Sequence, residues 1–202
     1  MSAWPQLFVA IVAGYLIGAI PIGYLVGRSR GRDPRATGSG KMGATNVLRA
    51  HGPKASALVL LGDMAKGALA VALAHALVPD VVGAEAAAGL AAILGHVFPV
   101  YVGFRGGRGV ATALGAMFIM NPLVGGAALL TGAVVIYRSR LASLGSLIGA
   151  LVGLLCIALL YLGRPELLAA LIYCAMAALI IGLTHRDNIQ RLADGTERKI
   201  QL

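Results

Sequence analysis

Apolar runs at residues 4–27, 55–78, 86–101, 110–120, 123–137, 141–162 and 167–184 alternate with short polar segments rich in Arg, Gly and Ser. The longer runs reach the ~20 residues that an α-helix needs to cross a bilayer's hydrocarbon core. The pattern predicts an all-α fold: a polytopic bundle of seven transmembrane helices forming one integral membrane domain over 1–202, with a polar tail at 185–202. The first run is long and has no basic stretch before it, so it reads as a retained helix and not as a cleaved signal. Pro21 predicts a kink in that run. Gly14 and Gly18 offer a small-residue face to a neighbouring helix.

Residues 110–137 pose a choice between one kinked helix and two short ones. A single crossing would put Arg105 and Arg108 on the opposite side from Arg138 and Arg140, whereas a turn at Asn121–Pro122 keeps all four together. Asn-Pro favours a turn, so two helices are expected, short enough to require local thinning or little tilt.

Charge then sets the orientation. The chain carries 17 Lys and Arg against 8 Asp and Glu, a net charge of +9. All but Lys66 and Arg164 of those cations fall in 28–54, 105–108, 138–140 and 185–202. By the positive-inside rule these four segments are cytoplasmic, with the N-terminus outside and the C-terminus inside. Composition agrees: 12% of residues are charged, against about 25% in a soluble domain, and the mean hydropathy is +0.84. Soluble classes are excluded. The basic loops hold few aromatic residues for base stacking, so anionic lipid headgroups or anionic substrates are the expected partners, not nucleic acid. Cys156 and Cys174 lie inside apolar runs with no metal-ligand spacing, and read as small buried hydrophobes.

The richest polar stretch is Thr37 to Arg49, TGSGKMGATNVLR. Gly38 and Gly40 let backbone N–H groups approach a ligand, and successive N–H groups of such a turn form a concave anion site. Ser39, Thr45 and Asn46 add hydrogen-bonding groups, and Lys41 and Arg49 add charge. The plain alternative is a flexible cationic loop that only sets topology. A second glycine–cation turn follows at Arg105-Gly106-Gly107-Arg108. Together with Ser143, His185, Asn188 and Glu197, these residues cluster on one side of the membrane and suit a site for two phosphate-like groups. His185, where the last span meets water, is a candidate for proton exchange or simply an interfacial histidine. Asp63 and Lys66, three residues apart on one helix face, are either functional or a neutralised structural pair. His96 is either a base or a packed histidine. GSGK lacks the first Gly and the final Ser or Thr of a P-loop, with Arg35 and Met42 in their places. His75-x4-Asp80 matches the spacing of many glycerolipid acyltransferases, but it sits at the outer end of its span with Pro79 inside it and is read as chance.

Four ordered stretches carry a family resemblance: TGSGKMGATNVLR, GDMAKG at 62–67, GHVFPVYVGFRGGRGVAT and HRDNIQRLADGTE. Together they resemble the bacterial acyl-phosphate:glycerol-3-phosphate acyltransferase family (PlsY-type), over nearly the whole chain. The resemblance implies a seven-helix enzyme of the bacterial inner membrane with its active site facing the cytoplasm. It implies transfer of a fatty acyl group from acyl phosphate to the 1-hydroxyl of glycerol 3-phosphate, giving lysophosphatidate and phosphate, without cofactor or metal. By position it implies functional roles for Ser39, Asn46, Arg49, Arg108, Ser143, His185 and Asn188. As catalytic residues we take Ser39, His185 and Asn188. As substrate-binding residues we take Gly38, Gly40, Asn46, Arg49, Arg105, Arg108, Ser143 and Glu197. Arg49, Arg108 and Ser143 are assigned to the glycerol 3-phosphate phosphate, Ser39 with the Gly38–Gly40 amides to the acyl phosphate, and His185 with Asn188 to the acceptor hydroxyl. Lys41, Arg105 and Arg108 depart from the family's usual Asn, Lys and Lys. A monomer is expected. An anion transporter and a non-catalytic scaffold are the rival readings. The first requires polar residues threading to the outer face, where this sequence has almost none.

Overall fold

The computed structural model describes residues 4–200. Among the described residues nine α-helices follow one another: α1 Trp4–Ala19, α2 Ile22–Ser29, α3 Ala44–Leu77, α4 Ala84–Val97, α5 Val110–Met120, α6 Pro122–Ser139, α7 Ala142–Tyr161, α8 Leu168–Thr184 and α9 Arg186–Ala193. No strand occurs among the described residues. By length and apolarity, six stretches are able to cross a membrane: α1–α2 together, α3, α4 with the turn after it, α6, α7 and the stretch ending in α8. The apolar helix α5 is shorter, about 16 Å long at 1.5 Å per residue.

Glycine and alanine pair the helices. Gly14 and Gly18 of α1 lie against the backbone of Ala88 and Ala92 of α4, where a Cβ would not fit. Gly67 of α3 sits on the carbonyl of Thr112, and Gly115 of α5 sits on that of Met64. Gly145 and Gly149 of α7 face Gly132 and Ala128 of α6. Small residues let helix backbones approach where no hydrophobic effect drives association in lipid. The bundle is thus built from pairs α1/α4, α3/α5 and α6/α7, with α8 packed on α7 and α4.

Two breaks shape the face that carries the polar segments. Helix α1 stops at Ala19, and Pro21, lacking an N–H, precedes the new start at α2. The Ile20 carbonyl at this break accepts from Lys66 Nζ at 3.1 Å as well as from the Ile22 N–H at 3.0 Å. Helix α3 begins at Ala44, well before the start expected at residue 55. Gly52 breaks its regularity with φ of +80°, just ahead of Pro53. The Asn121–Pro122 turn separates two helices as the charge pattern requires: α5 ends at Met120, and Asn121 Oδ1 accepts from the Val124 N–H at 3.2 Å to cap α6.

Candidate active site

The Thr37–Arg49 stretch is an ordered loop leading into α3. Gly38 and Gly40 take φ of +61° and +68°, which only glycine adopts without cost. A single side chain ties the loop together. Asn46 Oδ1 accepts from the Ser39 N–H at 3.0 Å, and Asn46 Nδ2 donates to the carbonyls of Pro34, Thr37 and Lys41 at 2.7, 3.1 and 2.8 Å. Its amide is therefore committed to the loop. Ser39 lies beside it and faces the interior.

A cavity of about 310 Å³ starts under this loop and runs down among α3, α5, α6, α7 and α8. Its head is lined by Ser39, Lys41, Thr45, Arg108, Ser143 and His185, and its walls mostly by apolar and glycine positions, with Asp63, His96 and Ser146 among them. A small polar recess adjoins it. Ser39, Thr45, Arg108 and Ser143 belong to both, and the recess adds Arg49, Asn188, Arg191, Glu197 and Arg198.

Three helices begin at this head. The first residues of α3 (Ala44, Thr45), α5 (Val110, Ala111) and α7 (Ala142, Ser143) line the cavity, and none of the three has a side-chain cap. The first N–H groups of a helix lack intrahelical partners and carry the positive end of its dipole. Three such ends beside the guanidinium groups of Arg49, Arg108, Arg191 and Arg198 make a strongly electropositive place.

Glu197 organises the recess. Its Oε1 accepts from Ser143 Oγ at 3.0 Å and Asn188 Nδ2 at 2.7 Å, and its Oε2 accepts from Arg191 Nε at 2.9 Å. Burial opposes its ionisation, but these three donors outweigh burial and hold it below the usual glutamate value. The tail is thereby fastened to α7 and α9. Arg49 is exposed and donates to the Arg198 carbonyl at 3.2 Å. Burial pulls Arg108 below the ordinary arginine value, with Glu197 opposing the shift. Arginine nonetheless stays charged. Arg108 Nε and Asn188 Oδ1 are buried without a hydrogen-bond partner, so both have polar capacity unused within the protein.

His185 is buried at the junction of α8 and α9, with Nδ1 2.8 Å from the Ile181 carbonyl. A carbonyl only accepts, so Nδ1 carries the proton and Nε2 is the unprotonated nitrogen. Burial and then the Arg108 charge push its pKa down to about 4. The imidazole is neutral at pH 7.

Of the remaining residues expected in the site, Gly38 and Gly40 are exposed and shape the loop without lining either space, and Arg105 is exposed and lines neither. Gly106 and Gly107 serve close packing. Their N–H groups donate to Val97 and His96 at 3.2 and 3.1 Å, and a Cβ on Gly107 would strike the His96 ring. Thr45, read from sequence only as one of the loop's hydrogen-bonding groups, and Arg191 and Arg198, not named from sequence as site residues, also face the recess. Spacing held the signal: Thr45 is four residues before Arg49, and Arg191 three after Asn188, on shared helix faces. Deeper down, Asp63 and Lys66 pair at 2.9 Å with side chains 2% and 4% exposed, and His96 Nδ1 lies 3.5 Å from Asp63 Oδ1. His75, of the discounted His-x4-Asp spacing, is 2.7 Å from Glu85 instead. Among the described residues, no three His, Cys, Asp or Glu side chains gather as a metal site.

Comparison with known proteins places this geometry. A family profile described as "Glycerol-3-phosphate acyltransferase" matches residues 8–195. The glycerol-3-phosphate acyltransferase of Myxococcus xanthus is 46% identical, with 94% of this chain and 97% of that protein covered. That of Thioalkalivibrio sulfidiphilus is also 46% identical, over 94% and 92%. Among solved structures, the glycerol 3-phosphate form of PlsY (YgiH), an integral membrane glycerol 3-phosphate acyltransferase, superposes with a TM-score of 0.88 at 33% identity, covering 96% of each chain. Its lysophosphatidic acid form gives 0.86 at 32% identity, over 96% and 95%. By profile, relatives and fold alike, the chain belongs to the PlsY-type glycerol-3-phosphate acyltransferase family.

Proposed function

We propose that this protein moves a fatty acyl group from acyl phosphate to the 1-hydroxyl of glycerol 3-phosphate, releasing lysophosphatidate and inorganic phosphate, as the first acylation of phospholipid synthesis. One observation carries the reading: three uncapped helix starts and the cations Arg49, Arg108 and Arg191 converge at the head of an apolar cavity. Such a site seats two anionic heads and one hydrocarbon tail.

Arg49, Arg108 and Ser143 hold the phosphate of glycerol 3-phosphate in the polar recess. Arginine's fork suits two phosphate oxygens at once. Ser39, through its hydroxyl, holds the acyl phosphate and polarises its carbonyl, while the acyl chain fills the cavity; the Ser39 and Gly40 N–H groups expected to share this role are bonded to Asn46 Oδ1 and the Thr37 carbonyl. His185, neutral and with Nε2 unprotonated, accepts a hydrogen bond from the acceptor hydroxyl, and Asn188 helps to orient it. The hydroxyl oxygen attacks the carbonyl carbon, the bond from that carbon to the phosphate oxygen breaks, and the departing phosphate takes the proton. Donors preset around the transient oxyanion supply much of the acceleration. Asn46 and Glu197 position these groups. Arg105 lies outside the recess and attracts anions toward it by its charge.

In the membrane the chain forms a single domain that crosses seven times, α5 and α6 making two of the crossings. The N-terminus lies outside and the site faces the cytoplasm of a bacterial cell. The enzyme acts as a monomer among lipids and uses no cofactor, metal or nucleic acid.

The test is purified protein in lipid nanodiscs with palmitoyl phosphate and glycerol 3-phosphate. Phosphate release that requires both compounds supports the reading. Equal turnover with acyl-CoA, or release without glycerol 3-phosphate, defeats it.

A further inference from the structure

The large cavity runs from a polar head to an apolar end, and four helices end it at one level. Its lining extends from Arg108, just ahead of α5, to Met117, from Ile136 back to Ala128 on α6, from Ser143 to Gly153 on α7 and from His185, just after α8, back to Cys174 and Tyr173. At 1.5 Å per residue these runs descend about 12–18 Å. That depth is close to one leaflet, half of a ~30 Å hydrocarbon core. The helices alternate in direction, so the agreement in depth comes from packing and not from one segment's register.

The end is closed by particular contacts. Cys174 Sγ lies 3.2 Å from Met117 Sδ, joining α8 to α5. Tyr173 donates from its hydroxyl to the Ala113 carbonyl at 2.9 Å and fixes the same two helices. Val124 and Ile157 are fully buried in the cluster that holds Met117 and Cys174, yet line no part of the cavity. They back the floor. On α7 the floor has no side chain at all. A Cβ at Gly153 would rest 3.4 Å from Ala128 Cβ and 3.9 Å from Val124 Cγ1, ordinary contact distances. A side chain there is sterically admissible at its root, and a long one would occupy the cavity's end.

We propose that Met117, Gly153 and Cys174 form a ruler that sets the longest acyl chain the donor can carry. The ruler rests on the acyl-transfer reading, because it assigns the cavity to the donor's chain. It makes the preferred donor a chain about one leaflet deep, with its end stopped by the Met117–Cys174 contact.

The experiment measures kcat/KM for acyl phosphates graded from decanoyl to stearoyl, at saturating glycerol 3-phosphate, in nanodiscs. Wild type is compared with Gly153→Leu, which fills the floor, and Met117→Ala, which deepens it. Forcing extra volume into a packed space costs enough to lower the palmitoyl-to-decanoyl ratio roughly tenfold or more in Gly153→Leu. Met117→Ala raises the stearoyl-to-palmitoyl ratio instead. KM for glycerol 3-phosphate does not move in either, since the head is untouched. A merely structural role would lower all chain lengths together. Folding is checked by thermal unfolding, and if Gly153→Leu does not fold, the direction of the Met117→Ala shift decides. An unchanged chain-length profile in a folded variant overturns the ruler and leaves acyl transfer standing. A wild-type protein inactive with every donor overturns both.

Discussion

Asn46 and His185 show how far one side chain reaches here. The Asn46 amide serves four backbone groups of the loop that carries Ser39. Replacing it by Ala takes the donor from the Lys41 carbonyl and the acceptor from the Ser39 N–H, at about 1 kcal/mol each, while the Pro34 and Thr37 carbonyls keep backbone N–H donors. We expect Asn46→Ala to lower kcat/KM by at least about tenfold while the helices remain folded, as activity and circular dichroism on one sample would show. His185 gives a pH signature. Its pKa in the folded protein is about 4, against 6.5 unfolded. Between those values the unfolded chain binds the extra proton, so stability rises with pH across the window and falls as pH drops from about 6.5 toward 4. The contribution amounts to about 3 kcal/mol at pH 4. Thermal unfolding of His185→Gln across that range should show a flatter dependence than wild type. An identical slope would mean that the imidazole is not held neutral.

At the scale of elements, the Asp63–Lys66 pair ties two helices, α3 and α4, to one break. Lys66 serves both Asp63 and the Ile20 carbonyl at the break before Pro21, and His96 on α4 stands against the same carboxylate. Removing one partner of a buried pair typically costs 3–5 kcal/mol, because the other charge is left unpaired. Asp63→Ala is therefore expected to lower stability by about that much, and Asp63→Ala with Lys66→Met to recover much of it. Unfolding of both variants in detergent distinguishes this structural role from a catalytic one, since recovered stability with lost activity would point to chemistry. The sequence placed Asp63 and Lys66 on one face, by their spacing of three. It did not show that His96 joins them or that Ile20 is the fourth member, because both come from other helices.

For the whole molecule, the proposed orientation rests on the charge pattern. In a variant with Cys156 and Cys174 replaced by Ala, a cysteine placed at Gly163 should react with a membrane-impermeant thiol reagent on intact cells. One placed at Gly40 should react only after permeabilisation. The reverse result, or labelling of both, would overturn the proposed arrangement and with it the cytoplasmic site.

What the linear chain determined is the solvent, the element type and the gathering of cations and other polar groups into a few segments. Apolar runs of membrane length, cations gathered in four segments and Asn121–Pro122 at a turn are local properties, and local free energies fix them. Only the tertiary structure decided which residues share a space. It drew Asn46 and Glu197 into holding others in place, left Arg105 outside and added Thr45 and Arg191. It also set the level at which Met117, Gly153 and Cys174 end the cavity. Those outcomes depend on helix register and close glycine contacts between segments distant in sequence. No single stretch of residues encodes such contacts; they arise when the backbones pack.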